Sequence, residues 1–131
     1  NYTGIDYHKR YSVACTLDGQ GRLLKQARID HNAPEAFASY FEALDGPSEA
    51  VIEACWNWAT LYDLLEDTPN VAKVVLSNPA KNRIITDAQI KNDRVDAKAL
   101  ATLLRGNFVS TVHVLGKEVR QKKNTVRQRL W

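Results

Sequence analysis

Hydrophobic and polar positions alternate along the opening of the chain, YTGIDYHKRYSVACTLDGQGRLLKQARID, which is rich in Tyr, Val and Ile. Alternation of this kind predicts half-buried strands, and DGQG reads as a four-residue turn, so two or three antiparallel strands are expected. The period then changes. In NAPEAFASYFEAL, Phe37, Tyr40, Phe41 and Leu44 recur at helical spacing, with Asn32 as a plausible N-cap and Pro34 in the first turn. SEAVIEA is a short apolar run of buried-strand type, WNWATLYDLLED a helix, and VAKVVLS a further strand that stops at NPAKN. Strand, helix, strand, helix implies parallel pairing beside the opening meander, hence an α/β fold with a mixed sheet flanked by helices.

The last amphipathic stretch of this body, IKNDRVDAKALATLL, covers residues 90 to 104. On a helix Asp93, Ala97, Leu100 and Leu104 fall on one side, and Asp96 lies one turn from both Asp93 and Leu100. The carboxylates extend the apolar stripe, which is costly unless helix capping or a bound cation compensates them. In the terminal stretch LGKEVRQKKNTVRQRLW, Leu115, Val119, Val126 and Leu130 form a thin stripe in a basic helix, expected to pair with another protomer.

Composition narrows the class. A length of 131 residues with 44% hydrophobic and 25% charged residues suits one globular domain with a real core. The absence of methionine leads to the expectation that the chain is cut from a longer protein. No apolar run approaches a membrane span and no basic-then-apolar leader opens the chain, so a cytoplasmic protein is expected. Cys15 and Cys55 lack a CxxC pair and are read as small buried hydrophobes. The net charge of +3 is uneven: residues 117 to 131 hold six basic residues and one acid, whereas the other 116 carry twelve basic against fourteen acidic residues. A nearly neutral body with a basic tail suggests a polyanionic partner, although a solvated helix face gives the same pattern.

Two further acids join the pair on the helix. Asp6 sits in the first strand, in GID, and Glu53 ends the run AVIE. If the first strand is central, Asp6 and Glu53 can lie side by side, with the helix at Asp93 closing over both. Four carboxylates from three elements would make an oxygen-rich site of the kind Mg²⁺ or Mn²⁺ prefers, and two such ions about 4 Å apart can hold a phosphodiester. The plainer alternative is that Asn92 or Asp93 caps the helix, Asp96 follows near the third position, and Asp6 and Glu53 are ordinary strand-end carboxylates. His8, two residues after Asp6, could bond a phosphate or a structural partner, and His31 and His113 read as structural. Trp56 and Trp58 could stack on a base or belong to the core. Lys81, Arg83, Lys91, Arg94 and Lys98 surround the later acids and Lys122, Lys123 and Arg127 lie in the basic tail, all candidates for phosphate contact.

The segments GIDYHK, VIEACWNW, VLSNPAKNRI and IKNDRVDAKALATLL, in this order and at these separations, resemble the amino-terminal catalytic domain of the DEDD insertion-sequence transposases, the Piv-like recombinases. The likeness runs from about Gly4 to about His113, and KND-x-x-DA joined to the upstream GID and Glu is its most specific part. It implies a ribonuclease-H-like fold similar to the Holliday-junction resolvase RuvC, an acidic tetrad of Asp6, Glu53, Asp93 and Asp96, dependence on Mg²⁺ or Mn²⁺, and metal-dependent DNA cleavage and strand transfer. It also implies a structured guide RNA as a possible partner and a carboxy-terminal domain bearing a nucleophilic serine. That domain is expected beyond this chain, so none of Ser12, Ser39, Ser48, Ser77 and Ser110 inherits the role. Residues 1–115 would then be the catalytic domain and 116–131 the start of a basic interdomain or oligomerisation helix, giving a homo-oligomer. Two rivals stand beside this reading. An actin-like ATPase or kinase would need a glycine-rich turn after the first Asp, and DYHKRYS has none. A non-catalytic nucleic-acid-binding module on the same scaffold is the other.

Overall fold

The computed structural model describes residues 1–33, 35–79 and 96–114. Its centre is strand β1 (Tyr2–Tyr7), which pairs antiparallel with β2 (Tyr11–Leu17) on one side and parallel with β4 (Ser48–Glu53) on the other. β3 (Leu23–Asp30) adds to β2 antiparallel and β5 (Val71–Ser77) adds to β4 parallel, giving the order β3-β2-β1-β4-β5. The meander and the parallel pairings are those the sequence predicts. DGQG is the β2–β3 turn: Asp18 accepts from the amides of Gln20 and Arg22, and Gly21 takes a φ of +84°, a left-handed geometry open to glycine.

Each face of the sheet has its own apolar layer. Helices α1 (Ala36–Glu42) and α2 (Trp58–Glu66) pack Phe37, Phe41, Leu61 and Leu65 against Ile5, Ala14, Ile29, Ile52 and Leu76. The opposite face takes α3 (Ala97–Arg105), whose Leu100, Leu103 and Leu104 meet Val51 and Val75 while Ala97 and Ala101 meet Cys15 and Leu17. Alternation explains the sorting, because odd and even positions of β1 point to opposite faces. Strand β4 is buried on both, with Ala50, Val51 and Ile52 fully enclosed, as a parallel strand between two helix layers must be. Mixed sheet, strand order and helices on both faces are those of a ribonuclease-H-like α/β fold.

Three local expectations are corrected. α1 begins at Ala36 with Glu35 at its N-cap position and no side-chain cap bond, not at Asn32. The chain is still turning there: the His31 amide donates to Arg10 O and the Ala33 amide to Asp30 O, which spends residues 31 to 33 on closing β3. Cys15 is buried as expected, whereas Cys55, past the end of β4, is only half-buried. Asp96 is itself the N-cap of α3 rather than a residue near its third position. The predicted terminal basic helix, residues 116–131, lies outside the described residues.

Candidate active site at the ends of the parallel strands

Ile5 pairs with Ile52, and the next residue of each strand is an acid. Asp6 and Glu53 therefore end neighbouring parallel strands, and Glu53 is in turn paired with Ser77. Period-two alternation puts both acids on the face of Gly4, Val51 and Val75, which is the face that α3 covers. Both are half-buried, and Glu53 Oε1 is shielded from solvent. Asp6 has a side-chain partner, and it is the structural one open to His8: His8 Nε2 lies 2.9 Å from Asp6 Oδ2. Because an ionised carboxylate only accepts, the imidazole N–H donates.

Helix α3 brings the third acid to this end of the sheet. Ala97 lies against Gly4, and at the far end Arg105 Nη1 donates to Gly19 O in the β2–β3 turn, so the helix runs antiparallel to β1 with its N-terminus toward Asp6. The close approach depends on Gly4, where a Cβ would overlap the Ala97 carbonyl and fall 2.6 Å from the Ala101 nitrogen. Asp96 has extended backbone (φ −79°, ψ 174°) and accepts from the Ala99 amide at 2.8 Å, so it caps the helix. Burial pushes the Cys15 thiol above its usual range; Lys98 opposes that shift and Asp96 adds to it.

The structure thus brings Asp6 and Glu53 together and places Asp96, exposed and capping, at the end of the same face. Among the described residues no group of three or more His, Cys, Asp and Glu is arranged to hold a metal ion. Asp93 lies outside the described residues, as do Lys81, Arg83, Lys91, Arg94, Lys122, Lys123 and Arg127. His31 is structural, its Nδ1 reaching Lys9 O and its Nε2 Ser12 Oγ. Trp56 is exposed, whereas Trp58 packs edge-on to Tyr62 at the margin of the core.

A family model described as Transposase, that of the IS110-type DEDD transposases, matches residues 3–130. The chain belongs to the DEDD transposase family. Asp6, Glu53, Asp93 and Asp96 all fall inside the matched span. Membership in a transposase family supplies the activity class, movement of an insertion sequence, and with it DNA as the partner. No curated protein matches the chain significantly. Among the described residues no helix is long and apolar enough to cross a membrane.

Proposed function

We propose that this DEDD transposase domain performs metal-dependent cleavage and transfer of DNA strands through Asp6, Glu53, Asp93 and Asp96. The observation that carries the reading is the placement of Asp6 and Glu53 on neighbouring strand ends, under the helix whose N-cap is Asp96. The donor chemistry fits a hard divalent cation: carboxylate oxygens, one of them buried, with no sulfur ligand needed. Mg²⁺ or Mn²⁺ bound there, as one ion or two, would neutralise charge on the phosphodiester and lower the pKa of a bound water.

The chain's own residues have separate tasks. Asp6 and Glu53 are fixed by the sheet, so their spacing does not depend on a loop. His8 holds one oxygen of Asp6 and so fixes the orientation of the carboxylate. Asp96 approaches from the helix side, and Asp93 is assigned as the remaining member of the tetrad on the family pattern alone. Lys81, Arg83, Lys91 and Arg94, together with Lys122, Lys123 and Arg127 in a basic helix that also pairs protomers, contact phosphates of DNA or of a structured guide RNA. In this reading 1–115 is the catalytic domain, and full recombination requires a separate serine-bearing domain.

The test is a titration with Mn²⁺ and Mg²⁺ followed by thermal melting, alongside nicking of branched and supercoiled DNA. Metal is expected to raise the Tm, and Asp6→Asn and Glu53→Gln to reduce that rise and abolish metal-dependent nicking. An undiminished metal response in both variants rules the site out.

A further inference from the structure

Asp6 is opposite Val13 across β1 and β2, and Val13 is opposite Arg28 across β2 and β3. Directly opposed residues in antiparallel pairs share a face, so Arg28 on the edge strand lies in the same row as Asp6 and Glu53. Beside that row the side chains form a continuous stack. The Arg28 guanidinium carbon sits 3.9 Å from the centroid of the Tyr11 ring, Tyr11 stacks on His8 at 4.5 Å and 18°, and His8 bonds Asp6.

The hairpin tip next to this stack is basic and held in place. Lys9 and Arg10, both exposed, follow His8 directly. The His8 amide donates to Tyr11 O, the His31 amide to Arg10 O, and the His31 ring reaches Lys9 O and Ser12 Oγ. Lys9, Arg10 and His31, together with Arg28, Asp30 and Asn32, line an open depression at the end of β1. Its one acid does little to quench it: Asp30 lies 3.3 Å from Arg28 Nε, but both side chains are more than half exposed, and such pairs are weak.

We propose that Lys9, Arg10 and Arg28 form a backbone-binding edge for the DNA strand whose phosphate is held at Asp6 and Glu53. The inference rests on the acid site proposed above. Strands are about 4.8 Å apart, so Arg28 is about 10 Å from Asp6 across the sheet, or about three nucleotides of rise along a DNA strand. The stack on Tyr11 keeps the guanidinium flat and extended, ready for bidentate contact with phosphate. Adjacency to the acids selects DNA over RNA, since the strand held here is the one on which they act.

The experiment measures binding of a branched DNA by the whole chain across a salt series in EDTA, so that the acids' metal plays no part. Each duplex phosphate contact contributes about 0.9 to the slope of log K against log salt. The variant K9Q/R10Q/R28Q is expected to lose about 2.7 units of slope and K9Q/R10Q, which leaves the stack intact, about 1.8. The charge-conserving K9R/R10K is expected to keep the full slope. The metal-induced rise in Tm, measured in parallel, should be the same in K9Q/R10Q and K9R/R10K, which leave the stack intact, as in the unsubstituted chain. Slopes unchanged by the glutamine substitutions overturn the DNA edge, and so does a loss confined to structured RNA. Failure of the unsubstituted chain to respond to metal refutes the acid site instead, and the slopes still decide the edge on their own.

Discussion

Gly4 of β1 and Ala97 of α3 approach so closely that there is no room for a methyl group between strand and helix: a Cβ on Gly4 would overlap Ala97 O and lie 2.8 Å from Leu100 Cβ. Neither obstacle is the free end of a flexible side chain, so the whole helix would have to move. Gly4→Ala is expected to cost about 3 kcal/mol, at the upper end for overpacking, and to lower the Tm by more than 10 °C on the order of a small domain's response. It should also weaken the metal response, because Asp96 travels with α3. Thermal melting with and without Mn²⁺ checks both; a Tm equal to that of the unsubstituted chain would mean that strand and helix are not in contact.

His8 is expected to act on metal affinity through Asp6. Partners that hydrogen-bond a liganding carboxylate fix its orientation, and their loss commonly costs 10–100-fold in affinity. His8→Ala should therefore weaken Mn²⁺ binding, read by calorimetry, by about tenfold, and His8→Gln, which retains an N–H donor, should recover part of it. Equal affinities for all three proteins would leave His8 with a packing role against Tyr11 alone.

Asp96 can be asked which of two roles it plays. Asparagine caps helices as well as aspartate does, whereas alanine does not. Asp96→Ala is expected to destabilise the metal-free chain by about 1 kcal/mol, and Asp96→Asn to leave it nearly unchanged while reducing the Tm rise on adding metal. Chemical denaturation of both variants in EDTA and in Mn²⁺ separates the roles. An Asp96→Asn protein with the full metal response would confine Asp96 to capping.

Tyr40 sets an alkaline limit on stability. Burial pushes its phenol up to about 12, against the pull of the hydrogen bond with Thr16, and Cys15 adds to the rise. The folded state thus holds the proton more tightly than the unfolded chain, whose tyrosine titrates near 10. The stabilisation is complete below pH about 10 and is lost as pH rises from there through about 12, a total of about 3 kcal/mol. Urea denaturation from pH 8 to 12 should show the decline, and Tyr40→Phe should flatten it. A decline of the same size in Tyr40→Phe would assign it to other groups.

The meander, both parallel pairings and the apolar faces were legible because each is a repeat of one period over several residues: Ala97, Leu100 and Leu104 are buried, as their spacing requires. Asp6 and Glu53 were legible as neighbours once β1 was placed at the centre. The start of α1 was not, because the backbone bonds of His31 and Ala33 that delay it come from Arg10 and Asp30, and one of those lies across the β1–β2 hairpin. Arg28 was missed for the same reason. Its place in the row of Asp6 follows only from two successive registers, and the cue available in the sequence was the length of the DGQG turn, which sets how β2 and β3 align. The bond from His8 to Asp6 was half legible: their i, i+2 spacing puts them on one side, but not within reach.

The sheet's connectivity also orders events in time. Every residue of the basic edge, Lys9, Arg10 and Arg28, belongs to the β1–β2–β3 meander, whose pairings join segments close in sequence. The acids come together only when Ile5 finds Ile52 and Gly4 finds Ala97, contacts that close much longer loops. Local hairpins form faster than distant pairings, so the meander is expected to fold first and the acid cluster last. On the two proposals above, a chain emerging from the ribosome would complete its nucleic-acid edge before its cleavage site. Pulse-labelled hydrogen exchange during refolding should find β2 and β3 amides protected ahead of those joining β1 to β4; simultaneous protection would show the two halves to be one cooperative unit.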